Sequence, residues 1–157
     1  PTDREYYGGH GGSLDEPKER YVFELPYAEW PFGAGLSYTD FAYRSCTLDK
    51  REYAAAGDVI RAEVEVENTG GRDGKEVVQI YVRDLVSSVA TPVQQLKAFR
   101  KVSVPAGQRA RVRLSIPVEE LALFDPRMHR TVEPGDFEIQ IGSASDRIHF
   151  RDTIHIH

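Results

Sequence analysis

Residues 60–67 read Ile-Arg-Ala-Glu-Val-Glu-Val-Glu. Ile60, Ala62, Val64 and Val66 fall on one side of a period-two pattern, and Arg61, Glu63, Glu65 and Glu67 on the other. Only an extended strand with one buried and one solvated face satisfies that order. Asn68-Thr69-Gly70-Gly71 then stops it with turn chemistry. The same alternation returns at Val78, Ile80 and Val82, and again at Ala110, Val112, Leu114 and Ile116 between Arg109, Arg111 and Arg113. Pro105-Ala106-Gly107 precedes one of these runs, and Glu133-Pro134-Gly135-Asp136 precedes Phe137, Ile139 and Ile141. Further strands are expected at 41–48, 96–104 and 148–156, with a short one near Arg130 and a helical turn at 118–122 that starts after Pro117.

About seven short strands separated by turns predict an all-β fold, an antiparallel β-sandwich of immunoglobulin-like type. Cys46 is the only cysteine, so no Cys…Trp…Cys signature exists. The expectation moves to the fibronectin type III-like end of that class. On the strand of Val78, Ile80 and Val82, the residues Val77 and Tyr81 point to the outer face. A valine and a tyrosine there predict that something covers this face.

Residues 1–40 have another character and are expected to form an irregular arm ahead of a sandwich at 41–157. Gly8, Gly9, Gly11 and Gly12 surround His10, and a charged stretch follows from Asp15 to Arg20. Tyr6, Tyr7, Tyr21, Phe23, Tyr27, Trp30, Phe32 and Tyr38 are half of the aromatic residues. A flexible linker is poor in aromatics, so the arm is expected to lie against a surface, its own or a neighbour's. In Trp30-Pro31-Phe32-Gly33-Ala34-Gly35-Leu36-Ser37-Tyr38, the two glycines permit backbone angles that other residues avoid. They aim the aromatics at whatever docks there.

A length of 157 residues suffices for one domain with an arm. No apolar run approaches the ~20 residues of a membrane-spanning helix. Net charge is −5 with mixed signs, and the one dense basic patch, Arg109, Arg111 and Arg113, suits a solvated strand face. Nucleic acid and membrane are therefore not expected partners. With a single cysteine, no internal disulfide or thiolate metal centre forms. Pro1 in place of Met suggests a processed chain or a portion of a longer one.

Six blocks together resemble one family. They are 30–39, Val66-Glu67-Asn68-Thr69-Gly70, 74–84, Pro92-Val93-Gln94-Gln95-Leu96-Lys97-Ala98-Phe99 with Val104-Pro105-Ala106-Gly107, Val132-Glu133-Pro134-Gly135-Asp136-Phe137, and Ile141-Gly142-Ser143. In that order they resemble the C-terminal fibronectin type III-like domain of family 3 glycoside hydrolases, the β-glucosidases and β-xylosidases. Two positions depart from the family pattern. Ala34 stands where a large residue is usual, and Met128-His129 where a tryptophan is usual.

The resemblance implies a parent enzyme of retaining glycosidase type, with its nucleophilic aspartate in a Ser-Asp-Trp context. Here the only tryptophan, Trp30, follows Glu29. Retaining chemistry also needs two carboxyl groups ~5–5.5 Å apart across a sugar pocket. The chain alone is therefore expected to be inactive, with no catalytic residue, no metal and no cofactor. The resemblance implies an accessory domain that docks on catalytic domains through Trp30, Phe32, Gly33, Gly35, Tyr38, Val77 and Tyr81. Ser87, Ser88, Thr91 and Gln94, in a long inter-strand loop, are candidates for contact with a neighbour or a polymer. A polysaccharide-binding module and a homodimerisation domain are the alternative roles. Asp125 and Asp136, Glu119 and Glu120, and His149, His155 and His157 are expected to be structural rather than catalytic or metal-binding.

Overall fold

The computed structural model describes residues 33–35, 37–86, 94–124 and 128–157. The alternating runs become two packed sheets. One has three strands, in the order β1 (Phe41–Leu48), β3 (Val59–Asn68) and β6 (Arg109–Pro117). The other has five, in the order β2 (Glu52–Tyr53), β10 (Arg147–Ile156), β9 (Gly135–Ala144), β4 (Gly74–Asp84) and β5 (Gln95–Val104). A 3-10 helix spans Val118–Leu121, and β7 (Leu123–Phe124) pairs with β8 (Arg130–Thr131). The inward rows meet as alternation demands. Ile60, Ala62, Val64 and Val66 with Val112, Leu114 and Ile116 pack against Val78, Ile80, Val82, Phe137, Ile139, Ile141, Ile154 and Ile156.

Two features depart from a plain antiparallel sandwich. Tyr53 and Glu52 pair in parallel with the end of β10, so the chain crosses from one sheet to the other between β1 and β2. Tyr53 is wholly buried, and its hydroxyl donates to Asp49 Oδ1 (2.6 Å) and the Lys50 carbonyl (2.8 Å). β-Bulges also interrupt both strands at one open side of the sandwich. Arg44 is the extra residue on β1 and His149 that on β10. The first bulge lets Tyr43 and Cys46, three apart, face the same core. Tyr43 then stacks on His149 from the opposite sheet, with ring centroids 4.1 Å apart and planes 10° from parallel.

The three-stranded sheet wears a charge ladder on its outer face. Arg44 Nε lies 2.7 Å and Arg109 Nε 3.0 Å from Glu67 Oε2; Arg109 Nη1 lies 3.0 Å from Glu65, and Arg113 Nε 2.8 Å from Glu63. The arginine run read from sequence is thus neutralised by the glutamate row beside it. Hydrogen bonds from Arg113 and Arg44 hold the Glu63 and Glu67 carboxyls below their ordinary values.

At the end where β3 finishes, Asn68 is fully buried. Its Oδ1 accepts from Thr39 Oγ1 (2.7 Å) and the Gly70 amide (3.0 Å), and its Nδ2 donates to the Arg72 (2.7 Å) and Val104 (2.9 Å) carbonyls. The side-chain amide is saturated. Replacing it strands the buried Val104 carbonyl and loosens three part-buried partners, where each desolvated group left unpaired costs about 1–3 kcal/mol. Asn68→Ala is therefore expected to lower unfolding free energy by about 3 kcal/mol or more, read from urea denaturation.

Glu76 is the buried carboxyl beneath Tyr43, whose hydroxyl donates to its Oε1 (3.1 Å). Burial raises its pKa against the lowering pulls of Tyr43, the Val77 amide and Arg147. A raised carboxyl pKa means that the folded state holds the proton longer. Its contribution is present below the unfolded value and is lost as pH rises through the folded one. Glu76→Gln keeps the acceptor without the charge. It is expected to raise Tm at pH 7 and leave it nearly unchanged near pH ~4, measured by thermal melts across pH.

Candidate docking face

The chain reaches β1 along the outer face of the five-stranded sheet. Gly33 sits over β4 with φ +80°. An added Cβ there would strike Gln79 Oε1 and the Tyr81 hydroxyl. Both the backbone angle and the close approach require glycine. Gln79 Nε2 donates to the Gly33 carbonyl (2.9 Å) and to the Ser143 carbonyl of β9 (2.7 Å). Its Oε1 accepts from the Tyr81 hydroxyl (2.5 Å). Gln79 and Tyr81 are buried although they point outward, Tyr81 with 1% of its surface exposed. Burial, with a smaller push from Asp146, raises the Tyr81 pKa, so the phenol stays a neutral donor.

The residues expected to dock separate into distinct environments. Gly33 and Tyr81 are brought together through Gln79. Val77 is half-buried on the same outer row. Tyr81 is sequestered within the chain, so it serves to hold Gln79 and offers no free surface. Tyr38 stands 93% exposed. Gly35 corrects an expectation, since an added Cβ meets nothing there and no left-handed angle occurs. Of these two, Gly33 is the one that needs to be glycine. Trp30 and Phe32 lie outside the described residues, as do Ser87, Ser88, Thr91, His10 and Asp125. Gln94 donates to the Ser145 carbonyl (2.8 Å).

Sequence reasoning missed two residues of this face. Gln79 falls between hydrophobic residues and gives no signal until its amide is seen bridging Gly33 and β9. Phe99 is paired in register with Gln79 and stands 69% exposed. It lies in the 92–99 segment, but the period of β5 is blurred by a bulge in which Lys97 is the extra residue opposite Ile80 and Tyr81.

The tempting acid–base and metal candidates have structural partners. Asp136 Oδ1 lies 2.7 Å from His155 Nδ1. Glu119 accepts the Gly57 amide (2.9 Å), and Glu120 lies 3.7 Å from Arg130. Among the described residues, no three His, Cys, Asp or Glu side chains cluster to hold a metal. Cys46 is half-buried, and burial followed by Asp152 pushes its thiol up to about 11. It is a protonated packing residue at neutral pH.

Residues 76–145 match the fibronectin type III-like domain model. A periplasmic β-glucosidase of Salmonella typhimurium is 40% identical over 129 residues, which are 82% of this chain and 17% of that protein. A β-xylosidase of Formosa agariphila is 39% identical over 128 residues, 82% of this chain and 18% of that protein. The chain thus spans under a fifth of the curated relatives it matches. Among solved structures, a β-glucosidase from Erythrobacter marinus superposes with TM-score 0.77 at 34% identity, covering 87% of this chain and 18% of that one. β-Glucosidase 3B from Thermotoga neapolitana superposes with TM-score 0.74 at 36% identity, covering 87% and 19%.

Gly33→Ala is expected to destabilise the chain by more than the ~0.4–1 kcal/mol that a compatible glycine replacement gains. Gln79→Ala, which removes three hydrogen bonds but no backbone strain, should follow in the same direction. Urea melts of the two variants check both.

Proposed function

Since this chain carries the C-terminal fibronectin type III-like domain of family 3 glycoside hydrolases, we propose that it is a non-catalytic accessory domain that docks on and stabilises the catalytic domains of a β-glucosidase. The observation that carries this reading is the pinning of Gly33 by Gln79 and Tyr81. It attaches the chain's lead-in to the outer face of a sheet, while leaving Tyr38 outward and free to meet a neighbour. The opposite outer face, with its paired arginines and glutamates, suits water rather than a partner.

Docking works by burial in this reading. Tyr38, with Trp30 and Phe32 ahead of it, supplies apolar anchors worth about 1.5–3 kcal/mol for each side chain fully buried. Catalysis belongs to the other domains, with the retaining two-carboxylate chemistry of the family. This domain contributes rigidity to them.

Removing residues 41–157 from the full-length enzyme is expected to lower its Tm strongly. Trp30→Ala should lower it measurably, with KM for an aryl glucoside unchanged in that variant. Unchanged melting together with a raised KM would instead assign the domain to substrate. Loss of dimer on truncation, seen by sedimentation, would assign it to self-association.

A further inference from the structure

The two outer faces differ in how their cations are matched. On the three-stranded sheet, Arg44, Arg109, Arg111 and Arg113 each lie within 4.0 Å of a glutamate on β3. On the five-stranded sheet, Lys75 of β4 and Lys101 of β5 are exposed, and neither forms an ion pair among the described residues. The register sets Lys101 opposite Val77 and Phe99 opposite Gln79. Half-buried Val77 therefore lies between the two ammonium groups, which have no carboxylate partner among the described residues, and Phe99 stands one rung further on, beside the residue that holds Gly33. A single exposed phenylalanine is ordinary. One continued by half-buried Val77 and two such cations on the next two rungs, on a protein of net charge −5, is a patch of distinct chemistry.

Covalent continuity selects the occupant. Gly33 is hydrogen-bonded on this face, and whatever precedes it in the polypeptide is covalently joined to the chain there. Relatives of this chain are more than five times as long as the part it matches. We infer that Val77, Phe99, Lys75 and Lys101 form a docking face for an acidic-rimmed apolar surface of the preceding catalytic domains. Carboxylates of that surface pair with the two ammonium groups, and its apolar centre covers Phe99. Rim charges of this kind set approach and register, while the buried centre supplies affinity. The inference rests on the docking function proposed above and names the face and chemistry that perform it.

The test is zero-length cross-linking of the full-length enzyme with a carbodiimide. The reagent joins an ammonium group to a touching carboxylate as an amide, and is itself hydrated to a urea. Peptide mass spectrometry is expected to find Lys75 or Lys101 linked to an aspartate or glutamate N-terminal to this chain in the same molecule. Phe99→Asp should remove those links, and Arg111→Glu on the opposite sheet should leave them. Links only between copies, or none from either lysine, overturn the inference, as does retention on an anionic polysaccharide that Lys75→Glu with Lys101→Glu abolishes. If truncation of residues 41–157 lowers Tm while the lysines give no such links, docking stands and this face falls. If truncation leaves Tm unchanged, docking itself falls.

Discussion

The buried amide of Asn68 is the interaction on which the remaining geometry depends. Its four side-chain hydrogen bonds join the lead-in at Thr39, the β3–β4 turn at Gly70 and Arg72, and the end of β5 at Val104. Its backbone adds the β5–β6 turn, donating to Gln108 (2.9 Å) and accepting from Gly107 (3.0 Å). A buried amide with every site filled tolerates little displacement, because each lost bond leaves a desolvated group behind. Thr39 is fixed by this hub and Gly33 by Gln79. The path of the chain over the five-stranded sheet is therefore set at both ends, and Tyr38 between them is held outward.

The sandwich divides its surfaces by the same physics. Where glutamates of β3 lie beside arginines of β1 and β6, charges neutralise each other in water and contribute modestly to stability. Where the outer row carries Gln79 and Tyr81, polar groups are buried and mutually satisfied. Between the sheets, bulges at Arg44 and His149 turn Tyr43 and His149 toward each other and close one side with a stacked pair. Glu76 beneath them is a buried carboxyl whose charged form burial disfavours, the Tyr43 hydroxyl offsetting only part of that cost. One outer face thus carries paired charges, and the other a buried polar row that holds the lead-in at Gly33.

The period-two runs of β3, β4, β6 and β9 were legible residue by residue, because alternation forces one side inward whatever the partner strand. The seven principal strands, the short strand at Arg130 and the turn after Pro117 followed from that rule and from glycine and proline. The family could be read from blocks at fixed order, since turns and buried rows together leave few alternatives. Less of the docking face was visible. Gly33 could be singled out by type, but Gly35 looked identical and proved ordinary. Gln79 looked like any outward polar residue of a strand.

Local pattern decided which residues face inward and where the chain turns. Tertiary structure decided what depends on distant partners. The parallel pairing of Glu52–Tyr53 with β10 and the matching of arginines to one glutamate row are two such features. The choice of Asn68 and Gln79 as clamps is the third. The reason is physical: burial period is a property of neighbours along the chain, whereas hydrogen-bond saturation and charge matching belong to residues that folding brings together from far apart in sequence, 29 positions for Thr39 with Asn68 and 64 for Gln79 with Ser143.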